Sequence, residues 1–456
     1  MDVACKWPWL QCGYGGMNLV QHENKNSFKA AFFPVICIYR ILLDIGYYSA
    51  ITKKYAYTGF QDNRNSILLI LSWVVLLCSY IIVKRILTST DNRTSVLIIT
   101  ILYLINFVPF TSCVYAGLYD TGYIIANCVY WSVLILAQYV SLHVKEEQLP
   151  KMKLGVYAFD ERVAWALGIC SLLLVLFISG RYAHFRLNFN LFSVYDIRYE
   201  ARTYKFPTII SYLFAWTRAI NPVLLAYSLL KKKRWMAIMF FLTQMLSFGI
   251  DGLKSTFFMP FLVLLVVFFY NKISPQKLKL YFTGGVTFFA LVSVLEHIVF
   301  HSSMLLEIIV RRVMYVPNYL GYCYYDFFQS NVPDYFRGSF LRHFGFSSPY
   351  AEKGGISFAI GLQYFKRTAA NCNTGLIADA MTNLGMMGLI IMPVLLILIL
   401  RLFDRSTINL DKRLSIATTL YFSNLLMNSF LLTVLLTHGM IVLIVMLSII
   451  NSNEMS

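Results

Sequence analysis

Runs of about twenty apolar residues follow one another along almost the whole chain, and no other feature narrows the fold as much. A helix of that length crosses a bilayer with every backbone polar group satisfied internally, so such a chain folds as a bundle of membrane helices. Reading along, about twelve spans are expected, at 30–49, 66–84, 95–113, 120–140, 161–179, 207–230, 235–250, 255–271, 279–300, 374–400, 412–431 and 432–450. Arg40 and Asp44 interrupt the first, but they stand four apart on one helical face and predict an internal ion pair. The boundary between the last two stays open. With 58% hydrophobic and 13% charged residues, a soluble fold has too little polar surface to cover its core. The expected fold class is therefore all-α, a polytopic integral membrane protein forming one membrane domain over 1–456.

Orientation follows from the short connections. Lys84, Arg85 and Arg93 flank one, Lys145, Lys151, Lys153 and Arg162 fill another, and Lys231, Lys232, Lys233 and Arg234 form a block. Lys272, Lys277 and Lys279 follow, then Arg401, Arg405, Lys412 and Arg413, all on one side of alternating helices. The positive-inside rule makes that side cytoplasmic, with both termini on it. The connection 114–119 has no Lys or Arg and falls opposite, whereas 50–65 fits poorly because it carries Lys53, Lys54 and Arg64. The polar first 28 residues show no cleavable signal, so the first span is expected to serve for insertion. A net charge of +17 raises nucleic acid as a partner, but no single basic domain exists to bind it. Nine cysteines are scattered without metal-ligand spacing; Cys323 and Cys372 share one outer loop, which leaves a bridge between them open.

Two longer outer loops are basic where positive charge is disfavoured. Segment 180–206 carries Arg181, Arg186, Arg198, Arg202 and Lys205; segment 301–373 carries Arg311, Arg312, Arg337, Arg342, Lys353, Lys366 and Arg367. Either the cations meet an anionic ligand or they are solvated loop charge. In the first loop, Arg198 and Arg202 share one helical face, as do Asp196 and Glu200, which suits either phosphate binding or an ion-paired surface helix. In the second, Arg311-Arg312 leads into Tyr315, Asn318, Tyr319 and more tyrosines, which suits a phosphate beside sugar rings or an interfacial aromatic segment. Pro317 is expected to kink that helix. The turn Ser247-Phe-Gly-Ile-Asp-Gly-Leu-Lys-Ser255 places Asp251 and Lys254 between two spans. Glu296, His297 and His301 end another span as candidate bases or interfacial residues. In Asn373-Thr-Gly-Leu-Ile-Ala-Asp-Ala-Met-Thr-Asn-Leu-Gly-Met-Met-Gly388, Asp379 and Asn383 share a helix face, and Gly385 and Gly388 permit close helix approach. No Asp-x-Asp pair offers a metal clamp for a nucleotide sugar, so no metal or cofactor is expected.

The order of these motifs resembles the bacterial oligosaccharide repeat-unit polymerases, the Wzy-type O-antigen polymerases. The likeness covers most of 30–450: Ser-Phe-Gly-Ile-Asp-Gly-Leu-Lys-Ser, then a long outer loop opening on Arg-Arg and closing on Asn-Thr-Gly-x3-Asp-Ala-x2-Asn-x-Gly-x2-Gly. The resemblance implies a GT-C-like membrane enzyme of the bacterial inner membrane that moves a growing glycan from undecaprenyl diphosphate onto a new lipid-linked repeat unit. The implied partners are undecaprenyl-diphosphate-linked oligosaccharide, membrane lipids and a chain-length regulator protein. It implies diphosphate binding by Arg198, Arg202, Arg311 and Arg312, helped by Lys254, and a base among Asp251, Asp196 and His301. Tyr315, Asn318, Tyr319, Asp379 and Asn383 are the expected sugar contacts. Related ligases carry a His just before the last-loop helix; Asn371-Cys372-Asn373 stands there instead, which argues against a ligase. A transporter for the same lipid-linked sugars is the rival from another class, and it should concentrate charge at mid-membrane rather than in outer loops.

Overall fold

The computed structural model describes residues 13–144, 161–186, 194–201, 203–270, 273–339, 341–407 and 410–450, all of them helix, turn or loop with no strand among them. Among the described residues, seven helices are long and apolar enough to cross a membrane. After a first helix α1 (Gly13–Gly46), these are α2 (Ser66–Leu87), α3 (Thr94–Tyr115), α4 (Thr121–His143), α5 (Glu161–Tyr182), α7 (Thr208–Leu230), α10 (Pro275–Phe300) and α13 (Ile377–Thr407). Shorter helices fill the order: α6 (Val194–Ala201), α8 (Arg234–Asp251), α9 (Lys254–Phe269), α11 (Val316–Ser330), α12 (Ile356–Phe365), α14 (Lys412–Asn428) and α15 (Met440–Ile449). A chain of this make-up is membrane-embedded.

Helix α3 is wrapped by its neighbours on nearly every side, with 94% of its apolar window buried. Helices α2 and α10 are its opposite, turning Ile70, Val74, Leu77 and Ile81, and Phe288, Leu295 and Ile298, outward to where lipid lies. The first span holds the predicted ion pair. Arg40 is fully buried and bridges Asp44, and its Nε donates to Thr111 Oγ1 at 2.8 Å. Its Nη2 donates to the Thr111 carbonyl at 2.9 Å and to Ser72, while Ser112 Oγ donates to Asp44 at 2.5 Å. Three helices therefore satisfy a charge pair that lipid alone could not.

The basic connections do gather on one face. Lys279 Nζ donates to the carbonyls of Ile86 (2.8 Å) and Ser89 (2.9 Å), and Lys412 to that of Asn92 (3.0 Å). Arg93 reaches the carbonyls ending α4, and Lys233 pairs with Glu161 at 2.8 Å. The opposite face, called the loop face below, carries the long loops. There Asn65 and Asp120 cap the starts of α2 and α4, accepting from Leu68 N and Tyr123 N.

The expected span 374–400 is a broken helix. It runs Ile377–Leu384, tightens through Gly385–Met387 and resumes at Gly388–Thr407. Gly385 takes φ +58°, and a Cβ on Gly388 would stand 2.2 Å from the Ala380 carbonyl. Gly388 thus lets the two helical pieces approach closely, as the sequence suggested, while Gly385 shapes the turn between them.

Candidate functional site

On the loop face five segments enclose a cavity of about 600 Å³, within the usual range for ligand sites. The first is the turn after α1. Gly59 takes φ +100° and lies so close to Tyr319 that a Cβ would stand 2.0 Å from its hydroxyl, which brings Tyr57, Thr58 and Phe60 to the wall. The second is α6, from which Arg198 and Tyr199 enter; Arg198 Nε donates to the Gly252 carbonyl at 3.1 Å. Gly252 ends α8 at φ +63°, so the Gly-Ile-Asp-Gly-Leu-Lys turn anchors an arginine of the cavity through its backbone.

The third segment, Leu306–Tyr315, is π-helical and carries Arg311 and Arg312. Wide helical turns of this type often mark functional sites. Pro317 sits in the first turn of the following α11, where its missing N–H costs least, so the chain widens ahead of the proline instead of kinking at it. The Arg311 guanidinium lies 3.8 Å from the Tyr55 ring centroid, and its buried Nε has no hydrogen-bond partner. Glu307 fastens this stretch to the turn after α1: it pairs with Lys54, accepts from Tyr55 Oη at 2.6 Å and from Ser303 Oγ at 3.0 Å. Burial works to raise the Glu307 carboxyl, but the bonds from Lys54, Tyr55 and Ser303 outweigh it and hold the group below its ordinary value.

The fourth segment is the end of α12 and its return. Lys366 takes φ +54° after the helix, and Gly361 lets the Ala370 carbonyl approach to 2.3 Å of where a Cβ would sit. Tyr364, Lys366, Arg367 and Asn371–Asn373 thereby line the cavity. Asn428, ending α14, closes the ring. Among the described lining residues are five cations (Arg198, Arg311, Arg312, Lys366 and Arg367), several tyrosines, and no carboxylate or histidine. A crevice on the basic face, lined by Asp91, Arg93, Lys279 and Lys412, is only about 20 Å³ and admits no sugar.

Of the residues singled out from sequence, Arg198, Arg311, Arg312 and Tyr319 converge on the cavity. Arg202 and the Asp196 side chain lie outside the described residues. Asp251 does not line the cavity; its carboxylate is bridged by Arg218 of α7 and accepts from Leu253 N at 3.1 Å, which spends it on the turn. Lys254 and His301 also lie outside the lining, His301 being exposed at the end of α10. Tyr315 and Asn318, expected against sugar, are core residues instead. Tyr315 Oη donates to the Leu43 carbonyl at 2.9 Å, and Asn318 Nδ2 donates to those of Asn106 (3.0 Å) and Met314 (2.7 Å). Asp379 and Asn383 are buried and bonded to each other at 2.6 Å; Asp379 accepts from Leu431 N and Asn383 from Phe336 N. They pin loops to α13 rather than face a ligand. Cys323 and Cys372 are both free thiols. Tyr55, Tyr57 and Asn371 join the site unforeseen, and Lys366 and Arg367 join it from among the loop cations without having been singled out as binding residues. The Lys366-Arg367 doublet in a basic outer loop was the one available signal for them. No group of three or more His, Cys, Asp and Glu among the described residues is placed to hold a metal.

Comparison with family models, curated proteins and solved structures returned no match.

Proposed function

We propose that this chain is a glycosyltransferase of the bacterial inner membrane that polymerises undecaprenyl-diphosphate-linked repeat units into a surface polysaccharide. The observation that carries the reading is the tyrosine-walled cavity with five cations and no carboxylate among its described lining residues. Guanidinium groups grip phosphate oxygens in pairs, and tyrosine rings offer flat faces and hydroxyls to sugars. As the sugar–phosphate bond breaks, negative charge grows on the leaving diphosphate. Cations already in place stabilise that charge more than the ground state. Arg311, with an unpartnered Nε, and Arg312 are the residues best placed for this.

In this reading the loop face is periplasmic, the basic face and both termini are cytoplasmic, and the shorter helices complete about twelve crossings of a GT-C-like scaffold. A chain-length regulator would dock from the membrane or the periplasm. The test is complementation of a deletion strain that keeps the chain's own glycan gene cluster. Arg311→Ala and Arg312→Ala, at wild-type protein levels, should leave single repeat units where wild type makes long polymer. Long polymer from both variants would sink the proposal, as would transfer by wild type to a lipid A core instead of a lipid-linked repeat unit.

A further inference from the structure

Transfer of a sugar to a hydroxyl releases a proton, and the cavity has no carboxylate or imidazole among its described lining residues to receive it. Two lining tyrosines, however, each donate to a carboxylate that stands behind the wall. Tyr55 donates to Glu307 at 2.6 Å and Tyr364 donates to Asp326 at 2.5 Å. The two acids differ in what else they hold. Glu307 also takes Lys54 and Ser303, and those bonds keep it a poor proton acceptor. Asp326 is exposed on α11, and Tyr364 is its one hydrogen-bond partner among the described residues. Tyr364 sits on the same helix end as Lys366 and Arg367, so a proton acceptor there lies next to cations of the cavity.

We propose that Tyr364 and Asp326 form a proton relay that activates the acceptor sugar hydroxyl, a role that rests on the polymerase reading. In the step, the acceptor O–H gives its proton to Tyr364 Oη while the Tyr364 proton passes to the Asp326 carboxylate. The acceptor oxygen bonds to the anomeric carbon of the donor sugar. The bond from that carbon to the diphosphate breaks, and its electron pair leaves on the phosphate oxygen beside the cavity cations. Tyr364 ends neutral, as it began, and only Asp326 must release a proton, which its exposure allows. Burial, and then the bond to Asp326, raise the Tyr364 phenol above its ordinary range. The other titratable groups around the pair are Tyr319, Tyr322, Cys323 and Tyr325 on α11, with Asp120 from the start of α4 reaching Tyr322 and Tyr325.

The test uses the full chain in nanodiscs, with undecaprenyl diphosphate as binding probe and lipid-linked repeat units extracted from the deletion strain as substrate. Tyr364→Phe and Asp326→Asn should bind the probe within about twofold of wild type yet polymerise about 100-fold more slowly or worse, the usual scale for losing a general base. Asp326→Glu should restore at least a tenth of the rate. Rates within threefold of wild type for either Tyr364→Phe or Asp326→Asn overturn the relay. So does a loss of probe binding in Asp326→Asn equal to its loss of rate. If wild type binds the probe but makes no polymer, the functional reading itself fails, and the relay with it.

Discussion

Arg40 and Arg311 carry the same guanidinium in opposite surroundings. Arg40 is tied to Asp44, Thr111 and Ser72 inside the bundle, whereas Arg311 lies on the Tyr55 ring with its Nε unpartnered. Removing one member of a buried pair strands the other, so Asp44→Ala should cost about 3–5 kcal/mol of stability, read as a large fall in thermal midpoint in detergent. Arg311→Ala should change that midpoint little while weakening undecaprenyl diphosphate binding at least about tenfold, the scale of one charge-assisted hydrogen bond. Glu307 adds a pH dependence. Its folded-state pKa is depressed, so its stabilising clamp is fully present above the ordinary glutamate value of 4.5 and is lost as pH falls through the lowered one. Glu307→Gln should therefore melt below wild type at neutral pH, with the gap closing in acid. The Arg40–Asp44 pair was legible because four-residue spacing dictates a shared helix face. Tyr315 and Asn318 were misread because tyrosine and asparagine look alike in sequence whether they face a cavity or a neighbouring helix.

At the scale of elements, glycines decide where loops touch the bundle. A Cβ on Gly375 would stand 2.0 Å from the Leu426 carbonyl, and Gly375 N donates to the Met427 carbonyl at 2.9 Å. Backbone cannot yield as a side-chain end can, so Gly375→Ala should displace Asn371–Asn373 from the cavity and lower both thermal midpoint and polymer yield. Gly284→Ala, in α10 with nothing within 4 Å of the new Cβ, is the control and should be neutral in the same assays. The apolar runs located α2, α3, α4, α5, α7 and α10 within a few residues. They did not reveal the break in α13 or the π-helical stretch that bears Arg311 and Arg312. Hydropathy counts apolar side chains, and both features depend on backbone hydrogen bonds that shift without changing it.

For the whole molecule, charge and topology agree. The basic connections are cross-bonded on one face, and the cavity opens on the other. Alkaline phosphatase fused after Val332 should be active outside the cytoplasm, and fused after Lys232 inactive; the reverse pattern would invert the proposed orientation. The sequence by itself determined the membrane class, the gathering of the short basic connections on one face and the buried pair in the first span, because lipid forbids unsatisfied backbone and penalises unpaired charge. It also singled out basic outer loops as the place to look. Only the tertiary structure decided which cations share a cavity. Residues 198, 311–312 and 366–367 are far apart along the chain, and no periodicity records that α6, the π-helical stretch and the α12 return fold toward one another. The same folding sent Asp251, Asp379 and Asn383 to structural duties, since each met a partner whose position only the assembled helices supply.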